Sequence, residues 1–253
     1  MRVSAPLILA LSLASAMPAL AQTAFDGPYI GAMVGLQAHS QNRALTEGTA
    51  GFLGLPSSVR PDFQDLRFED GWQGSAVAGY NFSSGKIVYG VEGDFTIGNV
   101  KGANSFVGAP IPGLAPQGLT TNINSRLGNR GSLRARLGYS FGDKLLAYTT
   151  AGIAVGDTRA QAAVLVNGAP TVGWSGEAEA TQTGYTVGGG LEYKLSKTIG
   201  LRAEYLFTDF GTHRVTATGN AAVRGIAALN GIDYVAAVPN RGGAARVGVT
   251  IGF

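Results

Sequence analysis

Side chains able to do chemistry are sparse in this 253-residue chain. There are two histidines, His39 and His213, and no cysteine. A disulfide scaffold or a thiolate-ligated metal is therefore excluded. His39 adjoins Ser40, but adjacency alone gives no nucleophile–base geometry, and no serine lies near His213 in sequence. The glycines of GVEGDF (90–95) and VGGGLEY (187–193) sit inside alternating runs, so they are not phosphate loops. No catalytic, metal or cofactor site is expected. What stands out is a set of nine charges at alternating positions: Glu92, Asp94, Arg134, Arg136, Glu192, Lys194, Arg202, Glu204 and Arg246. Five are basic and four acidic. Nearly balanced charges that share one face can pair, and burial tolerates charge only when it is paired and hydrogen-bonded.

The elements that carry these charges have a period of two. In Tyr89–Ile97, Tyr89, Val91, Phe95 and Ile97 oppose Glu92 and Asp94. In Ser132–Tyr139, Leu133, Ala135, Leu137 and Tyr139 oppose Arg134 and Arg136. Gln182–Leu195, Ile199–Thr208 and Ala244–Phe253 repeat the pattern, with Leu206 as an apolar exception on a polar face. Tyr29–Gln37 and Trp72–Phe82 fit less sharply, and Leu145–Gly156 is apolar on both faces, so pattern alone leaves its register open. That makes eight strands. Short connections at Ser83–Lys86, Gly142–Lys144 and Ser196–Lys197 alternate with long ones at about 38–71, 99–129, 157–180 and 209–243. The expected fold is all-β: an eight-stranded antiparallel up-and-down transmembrane β-barrel with short periplasmic turns and four long extracellular loops.

A soluble barrel would show the same alternation with its faces reversed. Two features favour the membrane version. Glycines fall mainly on the charged face, as a narrow filled lumen requires. Tyr80, Phe82, Tyr89, Tyr139, Phe141, Tyr193 and Phe253 come from distant parts of the chain yet collect at the short-turn ends, as a periplasmic-rim aromatic girdle would. Composition agrees: glycine supplies 39 residues, charged residues only 14%, and mean hydropathy is +0.14. Disordered and long-helix classes are excluded. The net charge of +3 is scattered without basic runs, so no nucleic-acid partner is expected.

Arg2, the apolar stretch Ala5–Leu20 and the small-x-small triplet Ala19-Leu20-Ala21 make residues 1–21 a cleaved secretory signal peptide, with the barrel domain at 22–253. No later run of 18 apolar residues suggests a membrane helix.

The ordered segments GPYIGAMVG (27–35), GWQGSAVAGYNF (71–82), IVYGVEGDF (87–95), GSLRARLGYSF (131–141), LAYTTAGIAVG (146–156), TGYTVGGGLEY (183–193), IGLRAEYLFTDFG (199–211) and RVGVTIGF (246–253) resemble the small OmpA-like outer-membrane barrels. They are most similar to the alphaproteobacterial surface proteins labelled outer-membrane β-barrel or porin-family proteins. The resemblance implies residence in the outer membrane of a Gram-negative bacterium, among its lipids and lipopolysaccharide. It implies recognition by the barrel-assembly machinery, with Phe253 as the assembly signal, and host or phage partners at the loops. A structural and surface-interaction role leads. A narrow porin-like channel is the alternative, followed by haem or ligand capture by loops and by a lipid-modifying enzyme using His213. No counterpart of the peptidoglycan-binding domain of full-length OmpA is expected. Within the loops, SFVGAPIPGLAPQGL (105–119) is apolar, and Asn230-Gly231 is a hairpin signal.

Overall fold

A computed structural model describes residues 23–38, 42–68, 71–111, 117–227 and 229–253. The expected signal segment and His39 lie outside these residues. Among the described residues, eleven strands form one antiparallel sheet: β1 (Gly27–Ala38), β2 (Asn42–Gly48), β3 (Phe63–Phe68), β4 (Trp72–Ser84), β5 (Ile87–Gly98), β6 (Val100–Pro110), β7 (Gly118–Phe141), β8 (Leu145–Val166), β9 (Ala169–Lys194), β10 (Ile199–Gly219) and β11 (Tyr234–Gly252). Two helical turns, α1 (Ala50–Leu53) and α2 (Ala221–Arg224), sit at strand tips.

The pairings close two stacked rings of eight. The lower ring runs β1-β4-β5-β7-β8-β9-β10-β11 and shuts by pairing β1 with β11. The upper ring replaces β1, β4 and β5 by β2, β3 and β6, and shuts by pairing β2 with β11. The five strands common to both rings are 24, 22, 26, 21 and 19 residues long. Crossing a bilayer takes about 9–11. The barrel is therefore much longer than a bilayer crossing requires, and its surplus forms a β-extension.

This corrects the expected loops. Part of 38–71 and most of 99–129, 157–180 and 209–243 is strand, and among the described residues the tips come down to 49–62, 111, 117, 167–168, 220–227 and 229–233. Asn230-Gly231 falls inside the last tip, where Gly231 takes φ +78°. Among the tips of the extension, a two-residue hairpin is formed by Asn167-Gly168, with Val166 opposite Ala169 and Gly168 at φ +81°. The three short turns stand where the sequence places them, with Gly85 and Gly142 in the left-handed region.

The rings have opposite polarity. Below, apolar side chains point outward: Val34, Leu133, Ile153, Leu191 and Val247 are each more than half exposed. Above, the interior is an apolar core that includes Phe52, Leu66, Ile123, Val164, Trp174, Val215, Tyr234 and Val238. In a strand, one inserted residue turns everything after it to the other face. Such insertions occur in β7 between Leu127 and Arg130, and in β10 between Asp209 and Thr212, where Gly211 takes φ +79°. In β10 the inward residues are even-numbered below the bulge (Arg202, Glu204, Leu206) and odd-numbered above it (Val215, Ala217).

Candidate functional site: the filled lumen

All nine charges picked out by alternation point into the lower ring, and all are largely buried. Each position follows from strand parity and register. Glu92 on β5 faces Arg134 on β7, Glu192 on β9 faces Arg202 on β10, and Glu204 on β10 faces Arg246 on β11. The chain thus builds opposite charges into neighbouring strands, then joins these pairs across the barrel. Arg202 bonds Glu92, although β10 and β5 stand on opposite walls of the ring. Arg134 reaches Glu92, Asp94 (3.1 Å) and Glu204 (2.9 Å). Arg246 bridges Asp94 (2.8 Å) and Glu204 (2.6 Å), and Arg202 also bonds Glu204. Lower down, Arg136 holds Glu192 (2.7 Å), and Lys194 approaches the same carboxylate (3.9 Å).

Two tyrosines complete the network. Tyr29 on β1 donates its hydroxyl to Glu92 Oε2 (2.6 Å). Tyr148 on β8 donates to Glu204 Oε2 (2.6 Å) and accepts from Arg202 Nε (2.5 Å). The Arg136 guanidinium lies 3.7 Å from the Tyr148 ring centroid, a desolvated cation–π contact. Inner-face glycines leave room for these rings: a Cβ at Gly190 would stand 2.6 Å from the Tyr148 hydroxyl. Tyr29 was findable, since it lies opposite the apolar face Ile30, Ala32, Val34 and Leu36. Tyr148 was not, because β8 shows no polarity contrast. Its register appears only through pairing with β7, as in Arg136 opposite Thr150.

Apolar layers bound the network on both sides. Towards the short-turn rim, Phe25, Val88, Leu146 and Tyr148 pack together, and Lys194 stands 5.4 Å from the Phe25 ring centroid. On the other side is a cavity of about 50 Å³ lined by Gln73, Ser125, Arg130, Leu206, Phe210 and Arg246. That volume holds a few waters. Arg130, which strand alternation did not select, reaches Gln37 (3.2 Å) and Gln73 here. Leu206, the exception on its strand, forms part of this roof. The apolar core of the extension closes the space above, with Phe52 and Tyr234 rings 5.0 Å apart and Trp174 Nε1 donating to the Ile232 carbonyl (2.6 Å).

The seven rim aromatics all point outward. Tyr80, Phe82 and Tyr89 form a contiguous cluster, Tyr139 and Phe141 a second, and Tyr193 and Phe253 stand exposed near the same rim. His213 lies above the β10 bulge, half-buried, with Nδ1 3.3 Å from Thr158 Oγ1.

Residues 7–229 match the family model described as outer membrane protein beta-barrel domain. The chain belongs to this outer-membrane β-barrel family. Its relatives include the 25 kDa outer-membrane immunogenic protein of Brucella abortus, 31% identical over 198 residues, which cover 78% of this chain and 71% of that protein. The 31 kDa outer-membrane immunogenic protein of Brucella melitensis is 32% identical over 152 residues, covering 60% and 59%. The 22 kDa outer membrane protein of Rhizobium leguminosarum is 32% identical over 149 residues, covering 59% and 57%. The matched segments thus span less than two thirds of these last two relatives. Among solved structures, the outer membrane protein OprG from Pseudomonas aeruginosa superposes with a TM-score of 0.53 at 12% identity, over 92% of this chain and 99% of that one. That likeness is one of fold. Together these findings place this family member in the outer membrane of a Gram-negative bacterium.

Proposed function

We propose that this protein is a sealed structural barrel of the outer membrane, which holds a rigid, water-exposed β-extension above the cell surface for contact with other molecules. The observation that carries this reading is the salt-bridge network spanning the lumen, Arg202 and Glu92 joining opposite walls with both side chains buried. A diffusion path would have to break several buried ion pairs, and each broken pair costs about 3–5 kcal/mol. The apolar layers above and below offer no polar path of their own. The extension supplies a stiff outer wall, and binding residues on rigid scaffolds concentrate at such exposed edges. The term immunogenic in the names of two relatives agrees with an outward-facing extension.

Further assignments belong to the same reading. Residues 1–21 direct export and are removed before Gln22. The seven rim aromatics sit at the periplasmic interface of the bilayer, where amphipathic rings are favoured. Phe253, exposed at the end of β11, serves the barrel-assembly machinery. Contacts with outer-membrane lipids, lipopolysaccharide and host or phage surfaces are made from outside the barrel.

Single-channel recording of the refolded chain beginning at Gln22 tests the central point. Silence from protein shown to be folded is expected. A steady, reproducible open level would overturn the sealed barrel in favour of a narrow channel.

A further inference from the structure

The outer wall of the extension is polar, and its cations are unevenly served. On β2, β8 and β10, each has a carboxylate: Arg43 with Asp65 (3.1 Å), Arg159 with Glu177 and Glu179, and Arg214 with Glu47 (2.9 Å). On β3, β6 and β7 the exposed Arg67, Lys101 and Arg126 have no ion pair among the described residues. The register draws these three together. Lys101 is directly opposite Arg126, Arg126 is directly opposite Arg159, and Arg67 is opposite Ala103, two residues along from Lys101. All four cations border one open groove. Like charges directly opposite on neighbouring strands are destabilising. A wall that places them so, while giving Arg43, Arg159 and Arg214 carboxylates, leaves an open cationic groove among the described residues.

The height of the row says which anion. Trp72 is 74% exposed and marks the outer edge of the lipid-facing band. Gln73 pairs with Gly98, so Trp72 is level with Asn99, and Lys101 lies two residues further out. Two residues are about 7 Å of strand, or about 5 Å along the membrane normal at a tilt of about 40°. Headgroups occupy roughly the first 5–7 Å outside the hydrocarbon. The cations therefore sit at headgroup depth and not at the tips, where a soluble ligand would be met first. Charge-assisted bonds from guanidinium to phosphate are the strong pairing available to such a row.

We propose that Arg67, Lys101 and Arg126 form a binding site for the phosphate groups of an outer-leaflet glycolipid, lipopolysaccharide in this membrane. The site clamps one such lipid against the β3/β6/β7 wall. The proposal rests on the outward direction of the extension argued above.

The test uses the full mature barrel in detergent, exposed to lipopolysaccharide with its lipid A phosphates intact or enzymatically removed. Bound lipid is counted by native mass spectrometry. The wild-type protein should retain the phosphorylated form at least tenfold more tightly than the dephosphorylated one. The triple variant R67Q/K101Q/R126Q should lose that preference, and R43Q/R214Q should keep it. Equal retention of both lipids by the wild type would overturn the site without recourse to any variant. So would undiminished retention by the triple variant. Competition by inositol hexakisphosphate at the same affinity as the lipid would also overturn it, by pointing to a soluble polyanion. Orientation is tested separately. The chain has no cysteine, so T216C on intact cells should react with a membrane-impermeant maleimide. Failure there would overturn the outward reading, whereas labelling combined with unselective lipid retention would overturn the clamp alone.

Discussion

The lower and upper rings share five strands and the same closed, eight-membered arrangement, yet each is the other turned inside out. Below, Glu92, Arg134, Arg202 and Glu204 fill the interior while Leu133, Leu137 and Val247 face out. Above, Ile123, Val164 and Val215 fill the interior while Arg126, Arg159 and Arg214 face out. The backbone is indifferent to the difference; the solvent is not. Where the surroundings are hydrocarbon, apolar side chains gain nothing by turning inward, and the lumen is left to polar groups that must satisfy one another. Where the surroundings are water, the hydrophobic effect fills the lumen. In β10 the crossing is made with one bulge, so that odd-numbered apolar residues face lipid below and core above.

The largest expected effect lies in the lumen of the lower ring. Glu204 touches Arg134, Arg202 and Arg246, so E204Q leaves three buried guanidiniums short of one counter-charge. A loss of about 3–5 kcal/mol is expected, read as a lower urea midpoint for the heat-modifiable folded band. Urea resistance equal to wild type would mean that the network does not hold the ring. F52A, in the core of the extension, should cost about 3–5 kcal/mol by cavity formation. That loss belongs to the extension, so protease should cut 49–62 while the lower ring stays folded.

A matched pair of outward substitutions sharpens the comparison. L133R places a charge on the lipid face about midway along the lower ring, opposite Gly93, and should cost about 2–4 kcal/mol near mid-membrane. T216R places the same charge on the outer face of the extension and should change stability by less than about 0.5 kcal/mol. Equal costs for the two would mean that the rings do not meet different solvents. Refolding equilibria in lipid vesicles report both.

How far each ring could be read from sequence follows from the same contrast. In the lower ring an Arg or Glu alternates with Leu, Val or Tyr, so both the strands and the nine inward charges stood out. The upper ring alternates Ala160, Ala162 and Val164 with Gln161 and Ala163, a contrast too small to separate strand from loop. Long stretches of it therefore read as loop. The bulges compound this, because a parity slip at Gly211 breaks one strand into two short patterns. Arg130 escaped notice for a similar reason: it sits next to the β7 bulge, where alternation is interrupted. Tyr148 needed its neighbours, since nothing within Leu145–Gly156 distinguishes inside from outside.

Further effects should come from pH, through two titratable groups of the extension. Tyr234 is fully buried beside Phe52, and burial pushes its hydroxyl up to about 12. A phenol whose folded value lies above its unfolded value of about 10 contributes stability that is whole below pH 10 and falls away as pH rises towards 12. Hydrogen exchange at the β2–β11 seam should accelerate over that window, and Y234F should abolish the change. His213 works in the opposite sense and more weakly. Partial burial holds its imidazole below the ordinary range. The unfolded chain then takes up a proton first, so stability is complete above about 6.5 and declines as pH falls through that value towards the lower folded one. Because the ring is only half-buried and already bonded to Thr158, solvent screens most of the effect. It should appear as modestly faster exchange around Thr158 and Thr212 at pH 5 than at pH 8, removed by H213Q. A comparable acceleration across β4 and β5 would mean that the two rings open together and are one cooperative unit, despite their opposite interiors.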